Sequence, residues 1–438
     1  MSFLCCPECR SELIEADNTL HCEACARRYG KLGGVWCLVS DPGLWRTLWQ
    51  SRFEDYRELV QQRIAGLGAQ LDRKGLLART ERRLRSLSAG LEAQLAVLSA
   101  HFSLLAEHTR GRPESVLPAA PRSGPLPAIK CYENLFRDWS WGEAESNQSL
   151  ELVRKLAPSA LGRVAVYGAG AGRLAVDVHT ALTPEQTFAL DINPFPLLVA
   201  ARLIQGEELS LPEFPVGPAS DASVVVRQTL RCSSRPGPGF SFVFGDALRP
   251  PFADDSLDTA LTSWVIDALA ADFRETATAI NHALRSGGTW LNVGPLRFDG
   301  PLSEAYGIEE VHEIVKGCGF EIVAAFNQSV DYFKSPHSGS SRRELVFCFA
   351  ARKIERAATP PTDSLRPGWL LDLNQPIPMT RATHAVRRNS VFTVGVLSLV
   401  DGKNSLRDVA QALGTRWRLQ PETLVDPLRA FFTQLPLE

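Results

Sequence analysis

The sequence feature that most constrains the fold is a glycine-rich turn that directly follows an apolar run. Residues 164–167 are apolar and predict a β-strand, and Gly168, Gly170 and Gly172 come next at alternate positions. Glycine accepts left-handed backbone angles and lets a ligand approach the main chain closely. A second apolar run ends at Asp191, 19 positions after the last glycine, where a carboxylate can accept hydrogen bonds from two ribose hydroxyls. Turn and acid together predict an α/β domain that holds an adenosine-containing cofactor.

Glycine-rich turns also occur for packing reasons, so the elements further along the chain decide the interpretation. A third short apolar run ends at Asp246, and another run follows over residues 257–266. A turn at Gly287 and Gly288 then leads into a further strand. This order, with acids after the second and third strands, resembles a class I S-adenosylmethionine-dependent methyltransferase and differs from a dinucleotide dehydrogenase. The resemblance implies an α/β fold with a Rossmann-like sheet, and S-adenosyl-L-methionine as the cofactor.

Length and composition limit the possible classes of protein. The 438 residues predict two to four structural units. A hydrophobic share of 45% is typical of soluble globular proteins, and a net charge of -2 argues against a dedicated nucleic-acid or polybasic membrane binder. No apolar run reaches the ~20 residues that span a bilayer, and the N-terminus lacks the pattern of a signal peptide. We therefore expect a cytoplasmic protein whose ten cysteines are reduced.

Four cysteines near the N-terminus have the spacing of a metal site. Cys6 and Cys9 form one C-x2-C pair, and Cys22 and Cys25 form a second pair after twelve intervening residues. Two such knuckles complete a tetrahedral sulfur site, so the pattern predicts structural Zn²⁺. A labile iron centre and incidental thiols are the alternatives, and Cys5 could replace Cys6 as a ligand. A site with four protein ligands is closed, so its role is stability or docking rather than catalysis.

The segment after these cysteines, Tyr-Gly-Lys-Leu-Gly-Gly-Val-Trp-Cys-Leu-Val, starts at Tyr29. Together with the knuckles it resembles the small Trm112-type zinc ribbons that stand beside or are fused to methyltransferases, and it defines a first domain over residues 1–43. Leucines at helical spacing then predict a helical arm of two long helices over residues 44–109. Five prolines mark residues 110–130 as a linker.

Motifs in the central part of the chain point to one family of methyltransferases. Arg-Asp-Trp-Ser begins at Arg137, and Trp-Leu-Asn-Val-Gly-Pro-Leu begins at Trp290. Between them lie Gly-Ala-Gly-x-Gly-Arg-Leu-Ala, Gly-Asp and Ile-Asp-Ala in a fixed order. These motifs resemble those of carnosine N-methyltransferases over roughly Tyr132 to Lys353, and we assign residues 131–354 to the methyltransferase domain.

The resemblance implies roles for individual residues in cofactor binding. Arg137 would bind the carboxylate of the cofactor, since the planar guanidinium of an arginine can bond both oxygens. The alternative is that Arg137 is an exposed helix residue. Asp191 would accept from the ribose hydroxyls, or could simply cap a strand end. Asp246 would accept from the adenine amino group. The cofactor-binding residues that the resemblance implies are Asn134, Arg137, Gly168, Gly170, Gly172, Asp191, Asp246, Ala247 and Ser263.

The acceptor side of the predicted site depends on Asp267 and Tyr332. Asp267 follows the presumed fourth strand, and ligands bind at the carboxyl ends of strands in open α/β sheets. The family places an Asp there against the imidazole of the substrate, where a carboxylate fixes the tautomer and stabilises the cation that forms. The alternative is that Asp267 caps the next helix. Tyr332 stands where the family carries a tyrosine of the acceptor pocket.

The acceptor half departs from the family pattern. Where the family continues with Leu-Tyr-His, this chain has Arg297-Phe298-Asp299, and Ser341 and Arg343 stand near family tyrosines. Methylation of an imidazole in a histidine-containing small molecule or peptide is the favoured interpretation. Another amine or natural-product acceptor is an alternative, and Arg297 and Arg343 would suit an acidic one. A non-catalytic adaptor that retains the cofactor fold is the other alternative.

Two further segments have less specific patterns. Residues 207–240 form an insertion between the second and third strands, and this could be a flap over the substrate or a tolerated loop. After a linker at residues 355–368, residues 369–438 resemble a winged-helix or PqqD-like unit, with Ser405 as a helix N-cap. Such a unit could recruit a peptide or protein partner. It lacks an evident base-reading helix, so a nucleic-acid partner is not expected.

Overall fold

The computed structural model describes residues 3–16, 18–106, 127–218, 220–269, 272–298, 302–358, 372, 374–376, 395–417 and 419–433. The strands in chain order are β1 (Ile14–Ala16), β2 (Thr19–His21), β3 (Arg28–Tyr29), β4 (Lys31–Leu32), β5 (Val35–Leu38), β6 (Arg163–Tyr167), β7 (Gln186–Asp191), β8 (Leu209–Glu213), β9 (Val226–Leu230), β10 (Phe240–Gly245), β11 (Leu257–Ser263), β12 (Leu284–Gly294), β13 (Phe320–Tyr332) and β14 (Arg342–Lys353).

The helices follow the same order along the chain. They are α1 (Pro42–Leu71), α2 (Ala78–Ala106), α3 (Pro127–Phe136), α4 (Glu143–Leu156), α5 (Arg173–Leu182), α6 (Pro194–Ile204), α7 (Phe273–Ala283), α8 (Ile308–Gly317), α9 (Leu406–Trp417) and α10 (Glu422–Thr433). None of these described helices combines the length and the apolar character that crossing a bilayer requires.

Among the described residues the central sheet has the strand order β13-β14-β12-β11-β6-β7-β10-β5-β4. Neighbouring strands from β12 to β5 are parallel, and β14 and β13 follow antiparallel at one end. Without β5 and β4, which come from the N-terminal unit, this is the strand order of a class I methyltransferase. The predicted Rossmann-like fold class is therefore confirmed.

Both faces of the sheet are covered, as a parallel sheet requires. Along β6, Val164 and Val166 belong to one apolar core, while Ala165 and Tyr167 belong to the other. The first core also receives side chains of α1, α2, α4, α5 and α6, and the second receives those of α7, α8 and the cysteine-rich N-terminal unit. The near-continuous apolar run of β6 follows from this double burial.

The last two strands of the N-terminal unit join the central sheet, while β1, β2 and β3 form a separate three-stranded sheet. Strand β5 pairs in parallel with β10, with Trp36 opposite Val243 and Leu38 opposite Gly245. Strand β4 then pairs antiparallel with β5 and ends the sheet. An open edge of β10 would expose unpaired main-chain groups, and β5 covers that edge with a strand of the same chain.

Arg10 fastens the N-terminal unit to the loop that follows β10. Its guanidinium donates from Nη1 to the carbonyl of Pro250 at 2.6 Å and from Nη2 to the carbonyl of Phe252 at 2.7 Å. The main chain adds a bond from the Cys5 amide to the Pro251 carbonyl at 3.0 Å. Charged donors make the stronger hydrogen bonds, so this clamp fixes the loop that begins at Asp246.

The two long helices of the predicted arm pack onto the central domain. Phe53 of α1 and Phe102 of α2 lie 4.7 Å apart between ring centroids, and both rings contact Phe195 at the start of α6. Trp49 adds an edge contact to Phe195 at 5.2 Å. The arm is thus a packing layer over α6, the helix that follows the Asp191 strand.

The insertion between the second and third strands of the domain forms a two-stranded sheet. Strands β8 and β9 pair antiparallel from Leu209 to Leu230. Glu213 accepts hydrogen bonds from Gln228 at 2.6 Å and from the Ser335 hydroxyl at 2.7 Å. Because Ser335 follows β13, this insertion supports the segment next to Tyr332.

The Gly287 and Gly288 turn of the sequence is a bulge within β12. The register with β11 shifts between Leu257 and Thr259, so several residues of β12 lie opposite one residue of its neighbour. Gly287 has a left-handed φ of 73° there. Glycine accepts the left-handed backbone angles of a bulge as readily as those of a turn. The two glycines in the sequence are therefore compatible with either a bulge or a turn.

The C-terminal unit contributes α9 and α10, which share a small apolar core. Ser405 caps α9 as predicted: its hydroxyl accepts from the Asp408 amide at 3.3 Å, and the Asp408 carboxylate accepts from the Ser405 amide at 2.8 Å. Most of both predicted linkers, and residues 377–394, lie outside the described residues. Pro127, predicted to lie in the first linker, begins α3. The winged-helix or PqqD-like identity of this unit stays a prediction.

We predict that Arg10→Met destabilises the protein by about 1–3 kcal/mol, because it removes two hydrogen bonds from a charged donor to main-chain carbonyls. Arg27→Met in the same unit is the control. Among the described residues, the Arg27 side chain makes only a half-exposed ion pair with Glu8 at 3.8 Å, so this variant should cost about 0–1 kcal/mol. Chemical denaturation of the full chain measures both values. Equal losses for the two variants would contradict the proposed clamp.

Candidate functional site

The glycine turn after β6 is left-handed at all three glycines, with φ values of 66°, 57° and 82° at Gly168, Gly170 and Gly172. A Cβ at Gly168 would lie 2.5 Å from the Val265 side chain, and one at Gly172 would lie 2.5 Å from the Phe242 ring. A Cβ at Gly170 would have no protein atom within 4 Å. Gly168 and Gly172 are therefore required for packing as well as for the turn, whereas Gly170 borders open space.

Asp191 lies at the tip of β7, directly beside this turn. One carboxylate oxygen accepts from the Gly170 amide at 2.7 Å and the other accepts from the Asn193 amide at 2.8 Å. Burial raises the pKa of the Asp191 carboxyl, and these main-chain donors oppose that rise. The predicted pairing of glycine turn and acid is thus an actual contact in the fold.

Asp246 occupies the equivalent place after β10. Its carboxylate accepts from the Leu248 amide at 2.9 Å, and burial raises its pKa. Asp246 and its neighbour Ala247 line the same cavity as Asp191. Two acceptor groups therefore border the part of the cavity between the second and third strands of the domain.

The Arg-Asp-Trp-Ser motif forms a π-helical turn, Arg137–Trp141, after α3. The Trp139 indole donates to the carbonyl of Ala171 in the glycine turn at 2.9 Å, and Arg173 donates to the carbonyl of Asp138 at 3.0 Å. The motif is thus bonded to the glycine turn. Single π turns are rare and often lie at functional sites, and no sequence pattern used above predicts one.

Arg137 lines the cavity and is held from two sides. Its guanidinium bonds the Asp138 carboxylate at 2.7 and 2.8 Å and lies 5.1 Å from the Tyr332 ring and 5.3 Å from the Phe333 ring. Burial lowers the pKa of Arg137, but the neighbouring Asp138 carboxylate outweighs burial and the net pKa is raised. Arg137 is therefore a fixed cation in the wall of the cavity and not an exposed helix residue.

Asn134 supplies the observation that points most directly to a polar ligand. Its side-chain oxygen is buried and has no hydrogen-bond partner among the described residues. Buried polar atoms in folded proteins are nearly always bonded to protein or water. Since Asn134 lines the cavity, this oxygen is placed to accept from a bound molecule.

Trp264 and Tyr332 form an aromatic stack that lines the cavity next to Arg137. Their rings stack at 4.1 Å with an angle of 17° between the planes. Trp264 has a left-handed φ of 55°, which is uncommon for a bulky residue, and its amide donates to the Val293 carbonyl at 3.0 Å. Sequence reasoning found Tyr332 but missed Trp264, because strand-end position alone does not give the direction of a side chain.

These groups border one cavity of about 790 Å³, a size within the range of small-molecule sites. All the predicted cofactor residues except Gly172 line it. The predicted residues in its wall are Asn134, Arg137, Gly168, Gly170, Asp191, Asp246, Ala247, Ser263 and Tyr332.

Asp267 lies next to the cavity without lining it, although Val265 and Ala268 on either side do. Its carboxylate accepts from the Arg297 amide at 2.8 Å, so it bonds the segment that follows β12. Its role in an acceptor site stays a prediction.

Residues from both ends of the chain also line the cavity. Ser40 and Trp45 come from the N-terminal side, and Asp426 and Arg429 come from α10 of the C-terminal unit. Sequence reasoning missed all four, because contacts between distant parts of a chain leave no local pattern.

The four predicted metal ligands come together at the N-terminus. The sulfur atoms of Cys6, Cys9, Cys22 and Cys25 all lie within 4.8 Å of one another. The hydroxyl oxygen of Tyr29 lies 3.1 Å from the Cys6 sulfur. Cys5 is outside this cluster.

No protein-family model matches this chain. A carnosine N-methyltransferase from Dictyostelium discoideum is 25% identical over 191 residues, which cover 37% of this chain and 40% of that protein. The matched stretch therefore spans less than half of the length of this relative.

Solved structures with some likeness include a phosphoethanolamine N-methyltransferase from Haemonchus contortus, at 17% identity and a TM-score of 0.34, covering 52% of this chain and 57% of that one. A chain from a complex of the Haloferax volcanii Trm112 methyltransferase activator has 15% identity and a TM-score of 0.34, covering 52% and 96%. The fold assignment rests on the strand order and not on these scores.

We predict that Gly172→Ala destabilises the protein more than Gly170→Ala. Both variants place a side chain in a left-handed conformation, which costs about 1–2 kcal/mol. Only the Gly172 variant also forces a Cβ against the buried Phe242 ring, which adds about 1–3 kcal/mol. Urea denaturation of the two variants measures the difference. A Gly170 variant as unstable as the Gly172 variant would contradict the assigned packing.

Proposed function

We propose that this chain is an S-adenosylmethionine-dependent methyltransferase that N-methylates an imidazole in a histidine-containing small molecule or peptide. The observation that carries the proposal is the cavity beside the Asp191–Gly170 contact, where the buried Asn134 oxygen has no partner among the described residues. A carnosine N-methyltransferase as a relative supports the choice of acceptor.

The residues in the cavity fit the parts of this cofactor. Arg137, a fixed cation, would bind its carboxylate, and Asn134 would accept from its amino group. Gly170, which borders open space, lets the methionine part approach the main chain. Asp191 would accept from the ribose hydroxyls and Asp246 from the adenine amine.

When bound, the cofactor supplies an electrophilic methyl group on a sulfonium. The chain itself orients the two reactants and neutralises the charge that develops on them. Trp264, which stacks on Tyr332, would offer an aromatic surface for a planar acceptor ring. Asp267 would accept from the protonated ring nitrogen, which leaves the other nitrogen as the nucleophile.

The cysteine cluster fits a structural Zn²⁺. Four sulfur donors without an open position suit a closed tetrahedral site, and the Tyr29 hydroxyl beside Cys6 is placed to donate to a thiolate. The ion would hold the knuckle that carries Arg10 and so support the Asp246 loop. The C-terminal unit would recruit a peptide or protein partner.

Cofactor binding should depend on pH through Asp191. Burial raises the pKa of its carboxyl in the free protein, and ribose donors favour the carboxylate form. Affinity for S-adenosylhomocysteine should therefore rise as the pH increases through this raised pKa and then level off. Asp191→Asn should weaken binding by about tenfold or more, since a bond to a charged acceptor contributes about 1.5–3 kcal/mol. Calorimetry between pH 4.5 and 8 measures both effects, and binding that tightens on acidification would contradict them.

Turnover should depend on Asp267. With labelled S-adenosylmethionine, we expect transfer to an imidazole nitrogen in a panel of histidine, carnosine, histidine-containing peptides and non-imidazole amines. Asp267→Asn keeps the bond to the Arg297 amide but removes the charge, so turnover should fall by about 100-fold or more while cofactor affinity is unchanged. Glu309→Gln, on the exposed start of α8, is the control. Transfer only to non-imidazole amines, or full activity of the Asp267 variant, would contradict the proposal.

A further inference from the structure

Glu145, in the first turn of α4, holds the chain at the point where β13 ends. Its two carboxylate oxygens accept hydrogen bonds from two consecutive main-chain amides, that of Phe333 at 3.1 Å and that of Lys334 at 2.7 Å. Successive amides at a bend make a concave site for an anion, and hydrogen bonds to an ionised acceptor are stronger than those between neutral groups. One side chain therefore fixes the direction in which the main chain leaves β13.

The bend that Glu145 binds has an uncommon backbone conformation. Phe333 has a left-handed φ of 55°, which few bulky residues adopt. Strained backbone angles persist where the surrounding structure determines them, and they concentrate at functional sites. Loss of the Glu145 carboxylate would remove the acceptor of both amides and would favour relaxation of the bend.

The bend determines the position of Tyr332, the residue directly before it. The Tyr332 ring stacks on Trp264 at 4.1 Å and contacts the Phe333 ring at 4.5 Å. Glu145, Tyr332 and Trp264 all line the cavity. Relaxation of the main chain at Phe333 would therefore move the aromatic stack in the cavity wall.

The groups assigned to the cofactor have supports of their own. The Arg137 guanidinium bonds the Asp138 carboxylate at 2.7 and 2.8 Å. The π-helical turn that carries Arg137 is bonded to the glycine turn through Trp139. Removal of the Glu145 carboxylate should therefore disturb the aromatic stack and leave the cofactor-binding groups in place.

From these contacts we infer that Glu145 is a positioning residue for the methyl acceptor. It holds Tyr332 against Trp264, the ring that would receive the planar acceptor. This inference rests on the proposed function for the identity of the acceptor. Glu145 acts through the amides of Phe333 and Lys334 and takes no part in methyl transfer.

Glu145→Gln tests this role, because a glutamine has one acceptor oxygen and its amino group would face an amide donor. With the full chain and labelled S-adenosylmethionine, KM for the preferred acceptor of the panel should rise by about tenfold or more, the loss expected for a bond to a charged acceptor. The effect on kcat should be smaller. Affinity for S-adenosylhomocysteine, measured by calorimetry, should be unchanged, which also shows that the variant is folded.

Glu143→Gln is the matched control for this variant. Glu143 lies in the same first turn of α4 and is exposed, and it is not among the residues that line the cavity. Its substitution removes a negative charge from the same helix end, so KM and cofactor affinity should both stay as in the unmodified protein.

A double-mutant cycle separates positioning from a general loss of stability. If Glu145 acts through Tyr332, Glu145→Gln should have no further effect on KM in a protein that already carries Tyr332→Ala. Additive effects of the two substitutions on KM would contradict the inference.

Hydrogen–deuterium exchange provides a measurement that needs no acceptor. The segment that contains Phe333 and Lys334 should exchange faster in Glu145→Gln than in the unmodified protein or in Glu143→Gln. An unchanged KM in Glu145→Gln overturns the inference and leaves the proposed function intact. If the unmodified protein methylates no acceptor, the proposed function fails and exchange decides the inference: faster exchange supports the hold on Tyr332, and unchanged exchange overturns it.

Discussion

The hydrogen bond from the Gly170 amide to the Asp191 carboxylate, 2.7 Å long, is the contact on which the site depends. It joins the turn after β6 to the end of β7, and the Ala169 amide adds a second bond to the Leu190 carbonyl. This bond requires a glycine turn with left-handed backbone angles after β6 and a buried acid at the end of β7. The cavity opens at this junction, where parallel strands end and helices diverge.

The rest of the chain supports the rim of that cavity. Strand β5 extends the sheet beyond β10, and Arg10 holds the loop that begins at Asp246. Glu213, in the insertion that carries β8 and β9, accepts a hydrogen bond from Ser335 in the segment after Tyr332. These supports come from distant parts of the sequence, so changes far from the cavity, such as loss of the cysteine cluster, are expected to reach it through the sheet edge.

Local patterns predicted the parts of the structure that local chemistry determines. The glycine turn, the acids after two strands, the cysteine knuckles and the Ser405 cap each depend on residues close in sequence. The pairing of β5 with β10 depends on residues about 200 positions apart and has no local pattern. Trp264 was missed because the direction of a side chain depends on backbone angles, which spacing alone does not give. Asp267 was placed at the right strand end, but its carboxylate bonds a neighbouring segment.

The most direct test of the account is a calorimetric titration of the full chain with S-adenosylhomocysteine and, separately, with NAD. Both molecules carry an adenosine that the Asp191 acid could hold, but only the first has the amino-acid end that Asn134 and Arg137 would bind. We predict saturable binding of one S-adenosylhomocysteine per chain and no comparable binding of NAD. Binding of NAD in preference to S-adenosylhomocysteine, or binding of neither, would contradict the assignment of this cavity to a methyl-donor cofactor.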